Sequence, residues 1–422
     1  MKILWIAFVW PEPDSSAGGA RTSQLLSFCH EAGHQVVVSS PCQSNKYREQ
    51  LERRGFTCVQ FPPNDSGFDA FLREYSPAIV VFDRFMIEEQ FSWRVREQCP
   101  DAFRILDTID LHFLRKGRER LVTRGEPSTE LSQEETHSSD AIRELSSIYR
   151  SDLSFIISET EMDLLCRKYK IPRELLLFVP LSSTALENTP SFQARKNCVT
   201  IGNFNHAPNR DSFYLLKDTL WNLIRNRLIA KGVKDPELHL FGAYATAEFL
   251  AFDSPATGFR VRGFVPDSRS ALSHYRVNLA PLRFGAGVKG KISDGWAGGT
   301  PCVATNVAAE SMTLEYNGEP VFGGLISDSW EQFADHVTEL YLNESRWSAA
   351  QQNGFEVLKR RFSYENSRSI FLAALSEQTH SAKEKRLANT IGALLWYQGA
   401  RSTEFFSRWI EEKKKRTSSQ MG

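Results

Sequence analysis

Apolar and polar residues alternate along the chain in blocks that predict buried strands separated by helices. Ile3–Val9 is a continuous apolar run, which is typical of a strand buried on both faces of a parallel sheet. Ala20–Ala32 follows with apolar residues at helical spacing, and Gly33 stands where a helix would end. Gln35–Ser40 is the next apolar run. This order, with a crossover of this length, predicts a parallel pair of strands.

The alternation continues through the N-terminal part of the chain and starts again after a linker. Between 180 and 197 the sequence turns to Ser, Thr, Pro and Asn, which indicates a domain boundary. Two successive β/α series predict an α/β protein with two doubly wound, Rossmann-like domains that face each other across a cleft. We place the domains at 1–185 and 197–362, a helix that returns to the N-terminal domain at 363–376, and a basic helical tail at 381–422.

Two charge-rich segments fall outside this alternation. The segment 118–147 carries Glu130, Glu134, Glu135 and Asp140, and it predicts a solvated surface loop that runs into a helix. The tail places KEKR and EEKKKR on either side of LANTIGALLWYQGA. It predicts either a surface helix with a frayed basic end or an amphipathic helix that meets a membrane or a partner.

Composition narrows the class of protein. A length of 422 residues suits two or three domains, and 51 basic and 51 acidic residues cancel, so no overall field favours nucleic acid as a partner. Seven cysteines without a CxxC pair predict reduced thiols rather than a zinc site. No run approaches the ~20 apolar residues that span a bilayer, and the first residues lack the pattern of a secretory signal. We therefore expect a cytoplasmic protein.

The sharpest motif is NLAPLRFGAGVKGKISDGWAGGTP, where a predicted strand, a glycine-rich turn and a predicted helix at 288–297 follow one another. Gly285 and Gly287 allow the backbone to approach an anion closely, and free N–H groups at the start of the helix point toward it. Lys289 and Lys291 add positive charge, which a diphosphate favours. The motif predicts a phosphate site, and simple packing of the helix on the sheet is the alternative.

Beyond this chemistry, PLRFGAGVKGKISDGWAGGTPCVAT resembles the donor-binding region of family-4-type retaining glycosyltransferases of the GT-B fold, the glycosyl transferases group 1. IGNFNHAPNRDS and RVRGFVPD resemble the start of their C-terminal domain and the loop that borders the nucleotide base. SETEMDLL and LDTIDLHFLRKGRERL resemble segments of their N-terminal domain. The resemblance covers residues 1–376. It implies transfer of a sugar from a nucleotide-sugar donor to the hydroxyl of a glycan, lipid-linked or small-molecule acceptor, with retention and without a metal or other cofactor.

The same resemblance implies roles for individual residues. Asp294 stands where many members have a glutamate that binds the ribose hydroxyls, while Ala286, eight residues earlier, replaces a second glutamate. Many members place a histidine near the reacting sugar. Here Asp110 falls at about that position and His112 follows two residues on, and both are candidate catalytic residues. The implied donor-binding residues are Gly18, Gly19, Val265, Gly285, Ala286, Gly287, Val288, Lys289, Lys291 and Asp294.

Three other functions compete with sugar transfer. A GT-B-fold epimerase would convert the nucleotide sugar without an acceptor, and a non-catalytic nucleotide-sugar-binding module would suit the missing glutamate. A dinucleotide-dependent oxidoreductase would suit the G-x-G-x-x-G formed by Gly285, Gly287 and Gly290, with Glu310 about twenty residues on. In addition, Asp107 joins Asp110 and His112 after an apolar strand, which suits acid/base chemistry, a metal or hydrogen-bonded loop capping.

Overall fold

A seven-stranded parallel sheet organises the N-terminal half of the protein, whose computed structural model describes residues 1–128, 130–316, 318–378 and 382–420. The strands follow the order β3-β2-β1-β4-β5-β6-β7. They are β1 (Lys2–Ile6), β2 (Gln35–Ser40), β3 (Thr57–Gln60), β4 (Ile79–Asp83), β5 (Phe103–Asp107), β6 (Leu153–Ile156) and β7 (Leu176–Phe178). The helices are α1 (Ala17–Glu31), α2 (Lys46–Arg53), α3 (Gly67–Tyr75), α4 (Phe85–Gln98), α5 (His112–Thr123), α6 (Gln133–Thr136), α7 (Ser139–Arg150) and α8 (Glu159–Arg167).

The central strand β1 shows why the sequence forms this sheet. Ile3 and Trp5 belong to the apolar core that also contains Phe28 of α1, whereas Leu4 lies in the core on the other face. Alternate residues of a strand point to opposite faces, so burial on both faces requires an uninterrupted apolar run. Parallel pairing of β1 with β2 and β4 follows from the helical crossovers, as predicted.

A six-stranded parallel sheet organises the C-terminal half, with the order β10-β9-β8-β11-β12-β15. The strands are β8 (Lys196–Ile201), β9 (Leu238–Phe241), β10 (Phe259–Gly263), β11 (Tyr275–Ala280), β12 (Cys302–Ala304), the separate antiparallel pair β13 (Leu314–Tyr316) and β14 (Glu319–Val321), and β15 (Gly324–Ile326). The helices are α9 (Ala207–Leu215), α10 (Trp221–Ala230), α11 (Ala247–Leu250), α12 (Ser268–Leu272), α13 (Gly290–Ala297), α14 (Asn306–Ala309), α15 (Trp330–Leu342) and α16 (Glu344–Arg361). A π-helical turn, Leu216–Leu220, joins α9 to α10.

The strand order reverses at β1 and β4 in the first sheet and at β8 and β11 in the second. Ligands bind beyond the carboxyl ends of the strands at such switch points. The loops after β1, β5, β8 and β11 line one common cleft. The predicted fold class, two doubly wound Rossmann-like units facing a cleft, is therefore confirmed.

The C-terminal helices return to the first half of the protein. Helix α17 (Tyr364–Gln378), which covers most of the segment predicted at 363–376, packs on α1, with the rings of Phe28 and Phe371 6.0 Å apart. Helices α18 (Ala382–Ala388) and α19 (Thr390–Gln420) form the tail, and α19 packs on α4 and α7. Ser381, Met421 and Gly422 of the predicted tail lie outside the described residues. Among the described residues, no helix is long and apolar enough to cross a membrane.

The prediction of a solvated surface loop that runs into a helix at 118–147 holds between α5 and α6, where residues 124–127, Glu130 and Ser132 are exposed, but it is wrong for the rest of the segment. Helix α5 continues to Thr123, and Glu135 and Glu144 are buried. Glu135 pairs with Arg120 and Arg124, and Glu144 accepts hydrogen bonds from the N–H groups that open α5. The buried carboxylates of this segment are thus paired with arginines or accept hydrogen bonds from the start of a helix. Charged side chains are buried in proteins when they have such partners.

Candidate functional site

A cleft of about 1070 Å³ lies between the two sheets and contains ten of the twelve residues singled out in the sequence. Its volume is at the upper end of the range for small-molecule sites. Gly19 and Gly287 do not line it. The ten that do are Gly18, Asp110, His112, Val265, Gly285, Ala286, Val288, Lys289, Lys291 and Asp294.

The N-termini of two helices meet in this cleft. A Cβ atom placed on Gly290, the first residue of α13, would lie 2.9 Å from Cβ of Ala17, the first residue of α1. The backbone N–H groups of Gly290 and Lys291 form no hydrogen bond within the described residues, nor do those of Ala17 and Gly18. Unsatisfied N–H groups and the positive end of the helix dipole make such a place favourable for an anion.

The two lysines of the loop differ in their partners. Lys289 Nζ donates to the carbonyl oxygens of Ala286 and Gly287, at 3.2 and 2.7 Å. Lys291 Nζ is buried and, within the described residues, has no hydrogen-bond partner. Burial lowers the pKa of each ammonium to about 8. Lys291 is therefore a desolvated charge without a counter-ion, which is costly unless a ligand provides one.

Close contacts that differ from one position to the next explain why glycine occurs at Gly287, Gly18 and Gly19. Gly287 has φ +62°, and a Cβ there would lie 3.0 Å from Cβ of Asp110, so backbone conformation and contact both favour glycine. A Cβ on Gly18 would lie 3.1 Å from the side chain of Ile109, which belongs to the same half of the protein. A Cβ on Gly19 would lie 2.3 Å from the carbonyl oxygen of Glu12, so Gly19 serves packing of its own loop.

Asp110 faces α13 from the N-terminal half of the protein. It follows Ile109, which adopts φ +63°, a strained conformation for a branched residue. One carboxylate oxygen pairs with Arg115, while His112 Nε2 lies 3.4 Å from the other, Oδ1, which is buried without a hydrogen bond within the described residues. Burial acts to raise the pKa of Asp110, but Arg115 holds it well below its usual range. The cleft thus contains an ionised carboxylate with one open oxygen.

His112 is neutral at physiological pH because burial lowers its pKa to about 3. Its ring packs edge-on against Phe85, with the ring centroids 5.7 Å apart. Asp107 does not join this group, because it does not line the cleft. Arg21, which does line the cleft, donates from its Nε to the two carboxylate oxygens of Asp107, at 3.2 and 3.3 Å. Of the predicted constellation, Asp110 and His112 come together and Asp107 is a buried structural partner.

Glu161 is a residue that sequence reasoning missed. Its Oε1 accepts hydrogen bonds from the N–H groups of Leu111, at 2.9 Å, and Gly287, at 2.8 Å. It therefore ties the Asp110 turn to the glycine loop, and the Gly287 N–H is not free for a phosphate as predicted. Burial raises the pKa of Glu161 to about 7. Glu161 lies three residues after Ser158, the N-cap of α8, which is the spacing of a capping box. In the sequence this spacing indicates a capping residue and gives no sign of the contact with the glycine loop.

A second bridge between the halves involves Arg118, which was also missed. Its guanidinium donates to both carboxylate oxygens of Glu310, at 2.7 and 2.6 Å, and to the carbonyl oxygen of Gly285, at 2.8 Å. Glu310, the acidic residue of the dinucleotide pattern, is thus engaged by Arg118. This engagement weakens the dinucleotide interpretation, which needs that carboxylate for a ribose.

Asp294 lies at the other end of the cleft, in α13. Ser268 Oγ donates to its Oδ2 at 2.7 Å, and burial raises the pKa of the carboxyl. Val265 lines the same end. His206 and Asn209 line the cleft as well, and Asn209 Nδ2 also donates to the carbonyl oxygen of Asn203 at 3.1 Å, so Asn209 shapes the turn. Within the described part of the chain, no cluster of three or more His, Cys, Asp or Glu forms a candidate metal site.

Comparisons with known proteins agree with this architecture. Residues 195–343 match the family described as glycosyl transferases group 1. Among curated proteins no sequence match is found. The solved structure of sucrose-phosphate synthase from Thermosynechococcus elongatus has 14% identity and a TM-score of 0.64, and the match covers 90% of this chain and 100% of that one. Anabaena HepE, solved with UDP and glucose, has 10% identity and a TM-score of 0.65, with coverage of 89% and 100%.

A further similar structure is TarM of S. aureus, solved in complex with UDP, with 9% identity, a TM-score of 0.64, and coverage of 89% and 100%. At these identities the similarity establishes the fold and not the reaction. The protein has the GT-B fold, and residues 195–343, which include the glycine loop and Asp294, carry the sequence pattern of glycosyl transferases group 1.

Proposed function

We propose that this protein is a retaining glycosyltransferase that moves a sugar from a nucleotide-sugar donor to an acceptor hydroxyl. The observation that carries the proposal is the buried Lys291 ammonium, which has no hydrogen-bond partner within the described residues and belongs to a cleft that the N-termini of α1 and α13 also line. A diphosphate supplies the negative charge that this place lacks. HepE and TarM, the similar structures solved with UDP, favour a uridine nucleotide sugar as the first donor to test.

The proposed chemistry divides between the two halves of the protein. The bond between the anomeric carbon and the diphosphate oxygen breaks, and its electron pair leaves with the phosphate. Lys291, Lys289 and the first N–H groups of α13 stabilise that charge, so the proposal includes no metal. The acceptor oxygen attacks from the side of the leaving group and transfers its proton to the departing phosphate oxygen. Asp110 stabilises the cationic sugar ring through its open oxygen.

We expect an α-glycoside when the donor is an α-linked nucleotide sugar and a suitable acceptor is present. The measurement is proton NMR of the product, after a thermal-shift screen of nucleotide sugars has identified the donor, with parallel reactions in excess EDTA. A ligand present at about one hundred times its dissociation constant adds about 2.7 kcal/mol of stability. A β-anomer would contradict retention. Conversion of the donor without any acceptor would indicate an epimerase, and binding without turnover would indicate a non-catalytic module.

Asp294→Asn is expected to weaken nucleoside-diphosphate binding by about 1.5–3 kcal/mol, because a charged acceptor of ribose hydroxyl hydrogen bonds is lost. Binding of free pyrophosphate should stay nearly unchanged, since pyrophosphate has no ribose. Isothermal titration calorimetry measures both affinities. Asp218→Asn, at an exposed position of the same half, is the matched control. An equal loss for pyrophosphate and nucleotide would place Asp294 at the phosphates instead.

A further inference from the structure

Helix α19 carries a row of exposed apolar side chains along the face that points away from the protein. Ile391, Leu394, Phe405, Phe406 and Trp409 are between 47% and 62% exposed. At 3.6 residues per turn, these positions fall on one side of the helix. Leu387 in the preceding helix α18 is 78% exposed. Gln398 and Ser402 lie on the same side and separate Ile391 and Leu394 from a denser aromatic cluster at Phe405, Phe406 and Trp409. The ring centroids of Phe406 and Trp409 are 6.1 Å apart. A cluster of exposed aromatic side chains of this kind marks an interaction surface rather than scattered exposure.

The opposite face of α19 holds the helix on the N-terminal half of the protein. Trp396 Nε1 donates to the carbonyl oxygen of Arg150 at 3.1 Å, and Ser407 Oγ donates to Asn64 at 2.8 Å. Glu411 forms an ion pair with the buried Arg94. The helix is therefore fixed by its inner face, and its outer apolar face is presented to the surroundings.

Basic residues continue the outer face beyond Trp409. Lys413 and Arg416 are exposed one and two turns further along, and Lys413 Nζ lies 5.3 Å from the centre of the Trp409 ring. The exposed acidic Glu412 lies at the edge of this face, at the same angle as Leu394, whereas Lys414 falls on the side of Trp396 and Glu411 is turned inward. The outer face thus combines a row of aromatic and aliphatic side chains with a positively charged end.

We propose that the outer face of α19 docks on the surface of an anionic lipid bilayer. Aromatic and aliphatic side chains enter the boundary between headgroups and acyl chains, and lysines and arginines bind negative headgroups. A second copy of the helix has poorer charge complementarity. In a parallel pair Lys413 and Arg416 would meet their own copies, and in an antiparallel pair they would meet the apolar end at Ile391.

The test is co-sedimentation of the full chain with lipid vesicles. We expect binding to phosphatidylcholine vesicles that contain about one third phosphatidylserine, and much weaker binding to pure phosphatidylcholine, with a loss of binding in high salt. Phe405→Ser/Phe406→Ser/Trp409→Ser is expected to lower the affinity at least about tenfold. Lys413→Gln is expected to lower it about fivefold at low salt, from about 1 kcal/mol per charge.

Ile229→Ser/Leu250→Ser is the matched control, because both residues are exposed apolar positions of the C-terminal half. It should bind as the wild type does, and all variants should keep the wild-type melting temperature. The proposal is overturned if the wild type ignores the anionic vesicles or if the triple variant binds them equally well. It is also overturned if ultracentrifugation finds a wild-type dimer that the triple variant converts to monomer. None of these outcomes depends on the proposed sugar transfer.

Discussion

Replacing Asp110 by alanine is expected to lower kcat by about 10²–10³-fold while leaving donor affinity nearly unchanged. The carboxylate is ionised, Asp110 lines the cleft, and its Oδ1 is buried without a hydrogen bond within the described residues. In the proposed mechanism its negative charge stabilises a cationic sugar ring, which exists only in the transition state. An interaction made only there appears in kcat and not in the binding of the ground state.

The structure also provides a competing explanation, because Asp110 pairs with Arg115. Removal of the carboxylate leaves a buried guanidinium without its partner, and that alone can disturb the site. The double variant Asp110→Ala/Arg115→Met separates the two explanations. Steady-state kinetics should show no recovery of turnover in the double variant if Asp110 acts on the sugar. Recovery toward the wild-type rate, or a loss of donor affinity as large as the loss of kcat, would assign Asp110 a structural role.

The sequence predicted those parts of the site that lie within one element or one turn. The run from β11 through the glycine loop to α13 contains Lys289, Lys291 and Asp294 within six residues. Loop chemistry identifies the two lysines, and the resemblance to the glycosyltransferase family implies Asp294. The doubly wound architecture follows from the same local patterns. The helix at 288–297 begins two residues later than predicted, at Gly290, because Lys289 is still in the extended conformation.

The parts that could not be predicted are pairs that join residues far apart in the chain. Arg118 meets Glu310 across 192 positions, and Glu161 meets Gly287 across 126. No local spacing indicates such a pair, since Arg118 and Glu161 look like ordinary charged helix residues until the two halves face each other. A similar difficulty at shorter range affects Glu135 in 118–147, whose partners Arg120 and Arg124 lie 15 and 11 positions away. Its charge is satisfied by partners that only the folded chain brings near.

Lys291→Met is expected to weaken nucleoside-diphosphate binding by about 1.5–3 kcal/mol, or about 10- to 150-fold, because a charged hydrogen bond to the diphosphate is lost. Lys289→Met should have a smaller effect on affinity, since Lys289 Nζ already donates to two carbonyl oxygens of its own loop. Lys217→Met, at a partly exposed position of the same half, should have none. Calorimetric titration of the three variants ranks their affinities for the nucleoside diphosphate. A larger loss of affinity in Lys289→Met than in Lys291→Met would make Lys289 the main diphosphate ligand.

The free energy of unfolding of the ligand-free protein provides an independent test of the buried charge on Lys291. Lys291 has a pKa of about 8, below its ordinary value of 10.5, because burial disfavours the ammonium. Between these two values the unfolded chain binds more protons than the folded one, so this lysine makes stability rise with pH in that window. In Lys291→Met that contribution disappears, and below pH 8 the variant should be at least as stable as the wild type.

Donor affinity should change with pH in the opposite direction. The diphosphate requires the charged ammonium, so wild-type affinity is expected to fall as pH rises above about 8, with Lys291 and Lys289 titrating together. In Lys291→Met the fall should be shallower, because one of the two titrating groups is gone. Thermal melts and titrations over the same pH series measure both quantities. A variant that is less stable than the wild type below pH 8, yet binds the donor with the wild-type pH profile, would show that Lys291 supports the fold and not the diphosphate.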